Sequence, residues 1–281
     1  MQVITEVEEM QAISRRLRDE GKSIGFVPTM GAFHDGHLSL MRESRRRDGV
    51  VVVSIFVNPM QFSPAEDFRE YPRDLENDST KASSLGVDFL WVPSVEGIYP
   101  EGYATYIEVE GLSDRLCGAS RPGHFRGVTT VVTKLFHLVE PHRAYFGQKD
   151  AQQAIIIRRM ILDLNWNIEL VVLPTIREAD GLAMSSRNVY LGAQERREAT
   201  VLFHSLCWAE EEICTGERSA ERIREGIRKK IQSKATAKLD YVALVDPQSL
   251  VEVEAIQGRV LILLAVRFGR ARLIDNCTVE A

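Results

Sequence analysis

The feature that most constrains the fold is a repeated alternation of strand-like and helix-like segments. Five apolar runs have the length and composition of strands, at residues 24–27, 50–57, 87–92, 143–146 and 168–173. Segments with helical spacing separate them, at residues 38–47, 73–85, 128–138 and 151–164. Continuous β-branched runs such as VVVVSIFV suit parallel strands that are covered on both faces. The alternation therefore predicts an α/β fold with a doubly wound, mostly parallel sheet.

The pattern changes after Pro174. Residues 176–191 have loop character, two charged helices are expected at 193–215 and 220–234, and three strand candidates follow. The strand candidates cover residues 239–245, 259–266 and 271–276. This order of elements predicts a smaller α+β unit with antiparallel strands. We place the domain boundary near Ile176, which divides the chain into domains at 1–176 and 177–281.

Three further segments complete the outline. Residues 5–20 have the apolar stripe of an amphipathic helix, and residues 103–109 can form an extended edge strand. Residues 117–127 are expected to form a long irregular loop that contains Arg121, His124 and Arg126. Long loops without periodicity are often functional. Solvated loop charges and a role in gating a substrate are equal alternatives for these three side chains.

Composition and charge exclude several classes of protein. The 281 residues are 44% hydrophobic and 27% charged, which is ordinary for a globular protein. The net charge of −5 argues against binding to nucleic acid or to an anionic membrane surface. No apolar run is long enough to span a bilayer and no secretory signal is visible, so a cytoplasmic location is expected. The four scattered cysteines predict free thiols rather than a disulfide or zinc framework.

The segment PTMGAFHDGH, residues 28–37, follows the first strand and opens the next helix. Gly31 and Gly36 allow the backbone to approach a ligand closely, and a helix N-terminus suits a phosphate group. His34 and His37 face the same way if the helix begins near Gly36. Their imidazoles can donate to phosphate oxygens or carry a proton near neutral pH. The motif predicts a nucleotide clamp, and two ordinary turn histidines are the alternative.

Other polar groups follow the later strands. Lys149, beside Asp150, can act as a point charge on a phosphate, or the two can be a surface lysine and a helix cap. The segment MSSR at 184–187 can grasp a triphosphate, although such strings are common in surface loops. Gln61 and Gln153 can orient a hydroxyl or a carboxylate, but either alone is more often structural. Together these groups predict catalysis by positioning and charge stabilisation rather than by a covalent nucleophile.

Five ordered motifs and the C-terminal string ARLIDN resemble the pantoate–β-alanine ligase (pantothenate synthetase) family, within the H-x-G-H nucleotidylyl-transferase group. The motifs are PTMGAFHDGH, VVVSIFVNPMQF, ASRPGHFRGV, FGQKDAQQ and DGLAMSSRN. The resemblance implies a Rossmann-like N-terminal domain with a C-terminal lid, usually in a homodimer. It also implies the ATP-dependent condensation of pantoate with β-alanine to pantothenate. The implied intermediate is pantoyl-adenylate, the other products are AMP and pyrophosphate, and Mg²⁺ is the implied cofactor.

The same resemblance implies roles for individual residues. The catalytic group would be His37, as a proton donor, with His34, Lys149 and Arg187. Gln61 would bind pantoate and β-alanine, and Gln153 would bind pantoate. The implied ATP-binding residues are Met30, Gly31, Ala32, Phe33, His34, Asp35, Gly36, His37, Gly147, Gln148, Lys149, Asp150, Ile176, Met184, Ser185, Ser186 and Arg187.

Some positions depart from the family pattern, and other functions compete. Gln148 stands where glutamate is expected, and Ala151 stands where an aromatic residue is expected. The Mg²⁺ ligands stay open, because Asn77 and Asp78 occupy the place of an expected acidic pair. The alternatives are another H-x-G-H adenylyltransferase, a class I aminoacyl-tRNA synthetase, or a nucleotide-binding regulatory module without catalysis. A small acidic C-terminal part and the lack of a clear lysine-serine-lysine loop disfavour the synthetase.

Overall fold

The N-terminal part of the chain is built on a parallel sheet. The computed structural model describes residues 1–63 and 68–281. Six strands form this sheet: β1 (Gln2–Ile4), β2 (Ile24–Thr29), β3 (Val50–Ile55), β4 (Phe89–Trp91), β5 (Arg143–Gly147) and β6 (Glu169–Leu173). Their order is β1-β4-β3-β2-β5-β6, and every neighbouring pair is parallel. The winding reverses between β2 and β5, so the carboxyl ends of these two strands border the switch point.

Helices cover both faces of this sheet. They are α1 (Val7–Asp19), α2 (Asp35–Arg47), α3 (Leu75–Ser84), α4 (Val95–Ile98), α5 (Cys117–Ser120), α6 (His124–Val139) and α7 (Ala151–Asp163). Successive strand residues enter different cores: Phe26 packs in a cluster with Phe136 of α6, whereas Val27 packs in a cluster with Met41 of α2. Burial on both faces explains why β2 and β3 have no polar stripe.

The C-terminal part is an antiparallel sheet between two apolar layers. Helices α8 (Ala193–Ala199), α9 (Val201–Cys214) and α10 (Ala220–Gln232) precede strands β7 (Ala237–Val245), β8 (Arg259–Phe268) and β9 (Ala271–Glu280). On β8, Ile262 and Leu264 pack in a cluster with α9 and α10. The alternate residues Leu261 and Leu263 pack in the core of the N-terminal part. The predicted fold class, a parallel α/β sheet with a smaller α+β part, is confirmed.

Four details differ from the sequence predictions. Strand β1 was missed, because three residues are too few for a pattern. The predicted edge strand at 103–109 is wrong: the backbone N–H of Ile107 donates to Thr130 Oγ1, and its carbonyl accepts from Thr129 Oγ1 of α6. The predicted loop at 117–127 contains α5 and the start of α6. The expected helix at 193–215 breaks at Thr200, whose hydroxyl donates to the Arg197 carbonyl.

Two simpler sequence expectations concern the thiols and membrane spans. All four cysteines are free, as the scattered spacing predicted. No helix in the described part of the chain combines the length and apolar character needed to cross a bilayer.

Candidate active site

A cleft opens at the switch point, beyond the carboxyl ends of β2 and β5. Ligands bind at this place in open parallel sheets. The turns after the two strands form one side of the cleft, and the segment 184–187 forms another. Fourteen of the predicted site residues line it: Met30, His34, Gly36, His37, Gln61, Gly147, Lys149, Asp150, Gln153, Ile176, Met184, Ser185, Ser186 and Arg187.

The rest of the predicted H-x-G-H turn shapes the cleft without lining it. The backbone N–H groups of Ala32 and Phe33 both donate to the buried carboxylate of Asp78, at 2.7 Å. The Gly31 N–H donates to Thr29 Oγ1 at 3.1 Å, and Gly31 has a φ of +83° that favours glycine. The backbone N–H groups of Gly31, Ala32 and Phe33 therefore all donate hydrogen bonds to side chains of the protein itself. Asp35, at the start of α2, also lies outside the lining.

The two histidines are held by the first turn of α2. The Gly36 N–H donates to Nδ1 of His34 at 3.2 Å, and the His34 N–H donates to Nδ1 of His37 at 3.4 Å. The ring centroids are 4.2 Å apart. A Cβ on Gly36 would lie 2.8 Å from the His34 ring, which explains the glycine of this motif. Because each Nδ1 accepts a hydrogen bond, the proton of each neutral ring is on Nε2.

Burial keeps both rings neutral at physiological pH. Burial lowers the pKa of His34 to about 4, and the nearby Lys149 adds to this effect. Burial also lowers the pKa of His37 well below its ordinary value, with smaller contributions from His34 and Lys149. Each ring therefore presents an Nε2–H donor. The sequence left two roles for these imidazoles, donation to phosphate oxygens and the carrying of a proton near neutral pH. Donation fits this geometry better.

The Lys149 turn is fixed by a residue from the C-terminal sheet. Lys149 lies in a 3₁₀ turn, Gln148–Asp150, between β5 and α7, with its Nζ 3.6 Å from a carboxylate oxygen of Asp150. The buried Asn276 of β9 donates through Nδ2 to the carbonyls of Gln148 and Lys149, both at 2.9 Å. The Gln148 side chain donates in return to Asn276 Oδ1 at 3.1 Å. Gln148 thus supports the turn and does not line the cleft.

A buried asparagine orients Gln61 on the opposite side. Gln61 ends the 3₁₀ turn Pro59–Gln61 after β3. Asn58 Nδ2 donates to Gln61 Oε1 at 3.1 Å and to the Gly127 carbonyl at 3.0 Å, and Asn58 Oδ1 accepts from the Tyr99 hydroxyl at 2.9 Å. Gln61 Nε2 donates one N–H to Met30 Sδ at 3.1 Å, which leaves its second N–H for the cleft that both residues line. The Gln61 carbonyl accepts from His124 Nδ1 at 2.8 Å.

Helix α6 touches this turn at a glycine. A Cβ on Gly127 would lie 2.3 Å from the Met60 carbonyl oxygen and 2.8 Å from the Gln61 N–H nitrogen. Both neighbours are backbone atoms, which cannot turn away as a side chain can. Gly127 therefore allows the close approach that places Gln61 at the cleft.

We expect Gly127→Ala to lower the free energy of unfolding by about 1–3 kcal/mol, the usual cost of overpacking a filled site. Urea unfolding of the variant and the parent protein measures the difference. Gly49→Ala is the control, because the nearest atom to a Cβ there is 3.5 Å away. Equal stabilities for Gly127→Ala and the parent would contradict the close contact.

The segment 184–187 returns to the cleft through a hairpin. The Glu178 N–H donates to the Leu182 carbonyl at 2.8 Å, and the Met184 N–H donates to the Ile176 carbonyl at 3.0 Å. The Ser186 hydroxyl is 3.0 Å from the Tyr71 hydroxyl, and the Arg187 guanidinium carbon is 5.7 Å from the centre of the Tyr71 ring. Tyr71 thus positions this segment.

The sequence analysis missed Asn58, Tyr71, Tyr99, Asp78 and Asn276 as supports of the site. Asn58 and Asn276 lie within the motifs VVVSIFVNPMQF and ARLIDN, whereas none of the quoted motifs contains Tyr71, Asp78 or Tyr99. The region of Asn77 and Asp78 does not offer an acidic pair, because Asn77 is exposed and Asp78 accepts from the H-x-G-H turn. No group of three or more potential metal ligands occurs among the residues that the structure describes. Asp150 is the only carboxylate among the described residues that line the cleft.

The fold and the site together define a class of enzyme. Donors from an H-x-G-H turn, a lysine and a serine–arginine segment surround one cleft at the switch point of a parallel sheet. This combination is that of an α/β enzyme acting on nucleotide phosphates. A family model, pantoate–β-alanine ligase, matches residues 2–278. The chain belongs to the pantoate–β-alanine ligase family.

Similar proteins support this assignment over the full length. The chain is 56% identical to a pantothenate synthetase of Acetivibrio thermocellus and 57% identical to one of Heliobacterium modesticaldum, each with 100% of both chains covered. It superimposes on the crystal structure of pantothenate synthetase from Thermus thermophilus with a TM-score of 0.95 and 45% identity, covering 100% of both chains. A second solved structure, pantoate–β-alanine ligase from Francisella tularensis, was determined with β,γ-ATP and β-alanine. It has a TM-score of 0.80 and 36% identity, and 99% of this chain and 97% of that chain are covered.

Proposed function

We propose that this chain condenses pantoate with β-alanine in an ATP-dependent reaction that yields pantothenate, AMP and pyrophosphate. The observation that carries the proposal is the arrangement of one cleft. Phosphate-binding donors His34, His37 and Lys149 lie in it together with the neutral amides of Gln61 and Gln153. Such a cleft suits a polyphosphate beside a small hydroxy acid.

In the first step, a carboxylate oxygen of pantoate attacks the α-phosphorus of ATP. The bond from that phosphorus to the bridging oxygen breaks, and pyrophosphate leaves with the bonding electrons. Both reactants are anions, so their approach needs positive charge and hydrogen-bond donors. Lys149 and the two Nε2–H groups supply these at the α-phosphate, and Arg187 with the serines of 184–187 holds the outer phosphates.

In the second step, the amine of β-alanine attacks the acyl carbon of pantoyl-adenylate. The bond from that carbon to the AMP oxygen breaks, and the new amide loses one proton from nitrogen. Gln61 is proposed to contact both acid substrates, because it lines the cleft from a turn that Asn58 holds and keeps one amide N–H beyond its bond to Met30. Acyl adenylates hydrolyse readily, so the segment 184–187 is proposed to exclude water while it covers the nucleotide.

The resemblance implies Mg²⁺, and the cleft contains one carboxylate, that of Asp150, that suits this ion. Mg²⁺ is commonly held by one or two carboxylates together with the phosphates of the substrate. Asp150 lies beside Lys149 and would hold the ion. When bound, the ion would neutralise charge on the phosphate oxygens.

Larger-scale features of the family are part of the same proposal. We infer a lid over residues 177–281, a homodimer and a cytoplasmic location. The Ser186–Tyr71 contact and the ion pair of Arg270 with Glu70, at 3.0 Å, join the two parts of the chain and would break when a lid opens. Sedimentation of the purified protein tests the dimer.

The decisive experiment measures AMP formation from ATP with pantoate, in the presence and absence of β-alanine. We expect pantoate-dependent release of pyrophosphate, and AMP turnover when β-alanine is added. A regulatory nucleotide-binding module would bind ATP without either. Absence of pantoate-dependent turnover by pure protein would refute the proposal.

The Asn276 contacts predict a remote effect on activity. Asn276→Asp is nearly isosteric but removes the donor shared by the Gln148 and Lys149 carbonyls. Losing hydrogen bonds to buried groups costs about 1–3 kcal/mol, so we expect kcat/KM for ATP to fall about tenfold or more.

Steady-state AMP formation is the measurement. Thr278→Ala, at an exposed position of β9, is the control. An unchanged kcat/KM in Asn276→Asp would show that Asn276 does not position the lysine turn.

A further inference from the structure

A row of like charges crosses one end of the C-terminal sheet. Lys238 of β7 is directly opposite Arg267 of β8, and Arg267 is directly opposite Arg272 of β9. Residues that face one another across antiparallel strands project on the same side of the sheet, and like charges in such pairs destabilise it. Three cations in one row therefore need opposite charge nearby.

The protein offsets only part of this charge. Arg272 forms an ion pair with Asp240 at 2.8 Å. Arg270, in the same hairpin, pairs with Glu70 at 3.0 Å, but both side chains are about two-thirds exposed, so this pair contributes little. Arg267 is exposed and forms no ion pair with any residue that the structure describes. Lys238 is likewise exposed and without an ion pair to a described residue, but of these two cations only Arg267 lines the cavity beside the hairpin.

The same arginines line a second cavity that adjoins the nucleotide cleft. Arg267, Arg270 and Arg272 enter it from the hairpin, whereas Lys149 and Arg187 border both the cavity and the cleft. Among its described lining residues, only Glu70 and Asp150 are acidic. The chain as a whole has a net charge of −5, so this concentration of positive charge is local. A concave surface with one sign of charge attracts counter-ions strongly.

We propose that this cavity is a second phosphate subsite, which takes inorganic pyrophosphate. The identity of this anion rests on the proposed function, in which pyrophosphate leaves the α-phosphate in the first step. Pyrophosphate can move from the cleft to the hairpin while it stays beside Lys149 and Arg187. Its multiple charges would offset the repulsion between Arg267 and Arg272, and guanidinium groups bind phosphate oxygens through paired hydrogen bonds.

Calorimetric titration of pyrophosphate into the full-length protein tests the subsite. The variants are Arg267→Gln, which removes the unpaired charge, and Arg267→Lys, which keeps it. Arg259→Gln is the matched control, because Arg259 is an exposed arginine at the other end of the same strand. A non-hydrolysable ATP analogue is titrated into each protein in parallel.

We expect Arg267→Gln to weaken pyrophosphate binding by about tenfold, the effect of losing a charge-assisted hydrogen bond. Arg267→Lys should retain most of the affinity, Arg259→Gln should match the parent protein, and the affinity for the ATP analogue should not change. Equal pyrophosphate affinity in Arg267→Gln and the parent would refute the subsite. A parallel loss of affinity for the ATP analogue would also refute it, because Arg267 would then belong to the nucleotide site.

The titrations contain no pantoate or β-alanine, so their result is independent of turnover. A protein without pantoate-dependent AMP formation would refute the proposed function, and the comparison of Arg267→Gln with Arg259→Gln would still decide whether the cavity binds pyrophosphate.

Discussion

Lys149→Met should lower kcat for AMP formation by about a hundredfold or more, the usual effect of removing one group that stabilises charge in a transition state. Lys149 lies at the carboxyl end of β5, and both the nucleotide cleft and the adjoining cavity include it. Its ammonium group lies at the β2–β5 switch point, where it can contact an anionic reaction centre. Methionine keeps most of the length of the side chain without the charge.

Single-turnover measurements with ATP and pantoate would separate chemistry from binding. We expect the rate of adenylate formation to fall much more than the affinity for ATP, because charge develops further in the transition state. Lys229→Met, at an exposed position of α10, should behave as the parent protein. A reduction of less than about threefold in the rate of Lys149→Met would be too small for the loss of a transition-state contact, and would contradict this role for Lys149.

His37→Ala should also lower kcat by about two orders of magnitude, because it removes an Nε2–H donor from a buried site. Burial keeps the pKa of His37 well below its ordinary value, so the ring acts as a neutral donor before the nucleotide binds. His37→Gln carries an amide N–H at a similar distance from the backbone. We therefore expect its rate to lie between those of the alanine variant and the parent.

Nitrogen NMR of the free protein tests the hydrogen bonds behind this prediction. Both rings should show the Nε2–H tautomer, because their Nδ1 atoms accept backbone N–H groups. His34 should titrate near pH 4, to which burial lowers its pKa. His137→Ala, on the exposed side of α6, is the activity control. A parent-like rate for His37→Ala would remove His37 from the catalytic group.

Local patterns predicted the parts of this protein that depend on neighbouring residues. The strand–turn–helix at residues 24–47 was predicted because β-branched burial, glycines and helical spacing are all short-range signals. The same holds for the three antiparallel strands of the C-terminal part. The predicted edge strand at 103–109 failed because this segment is bonded to side chains of another element, as Ile107 is to Thr130. No local pattern contains the position of such a partner.

The features of the site also fall into those that local sequence predicts and those that depend on the whole fold. By itself the sequence determined the H-x-G-H turn, the lysine turn and the serine–arginine segment, because each is a short motif at a strand end or hairpin. Only the tertiary structure decided what holds them: Asn276 supports Lys149 from 127 residues away, and Asn58 joins Gln61 to Gly127 across 69 residues. These supports are hydrogen bonds between groups that become adjacent only after α6 packs on the turn after β3 and the C-terminal sheet packs on the N-terminal part. Their geometry therefore depends on the whole fold, whereas the motifs they support depend on a few consecutive residues.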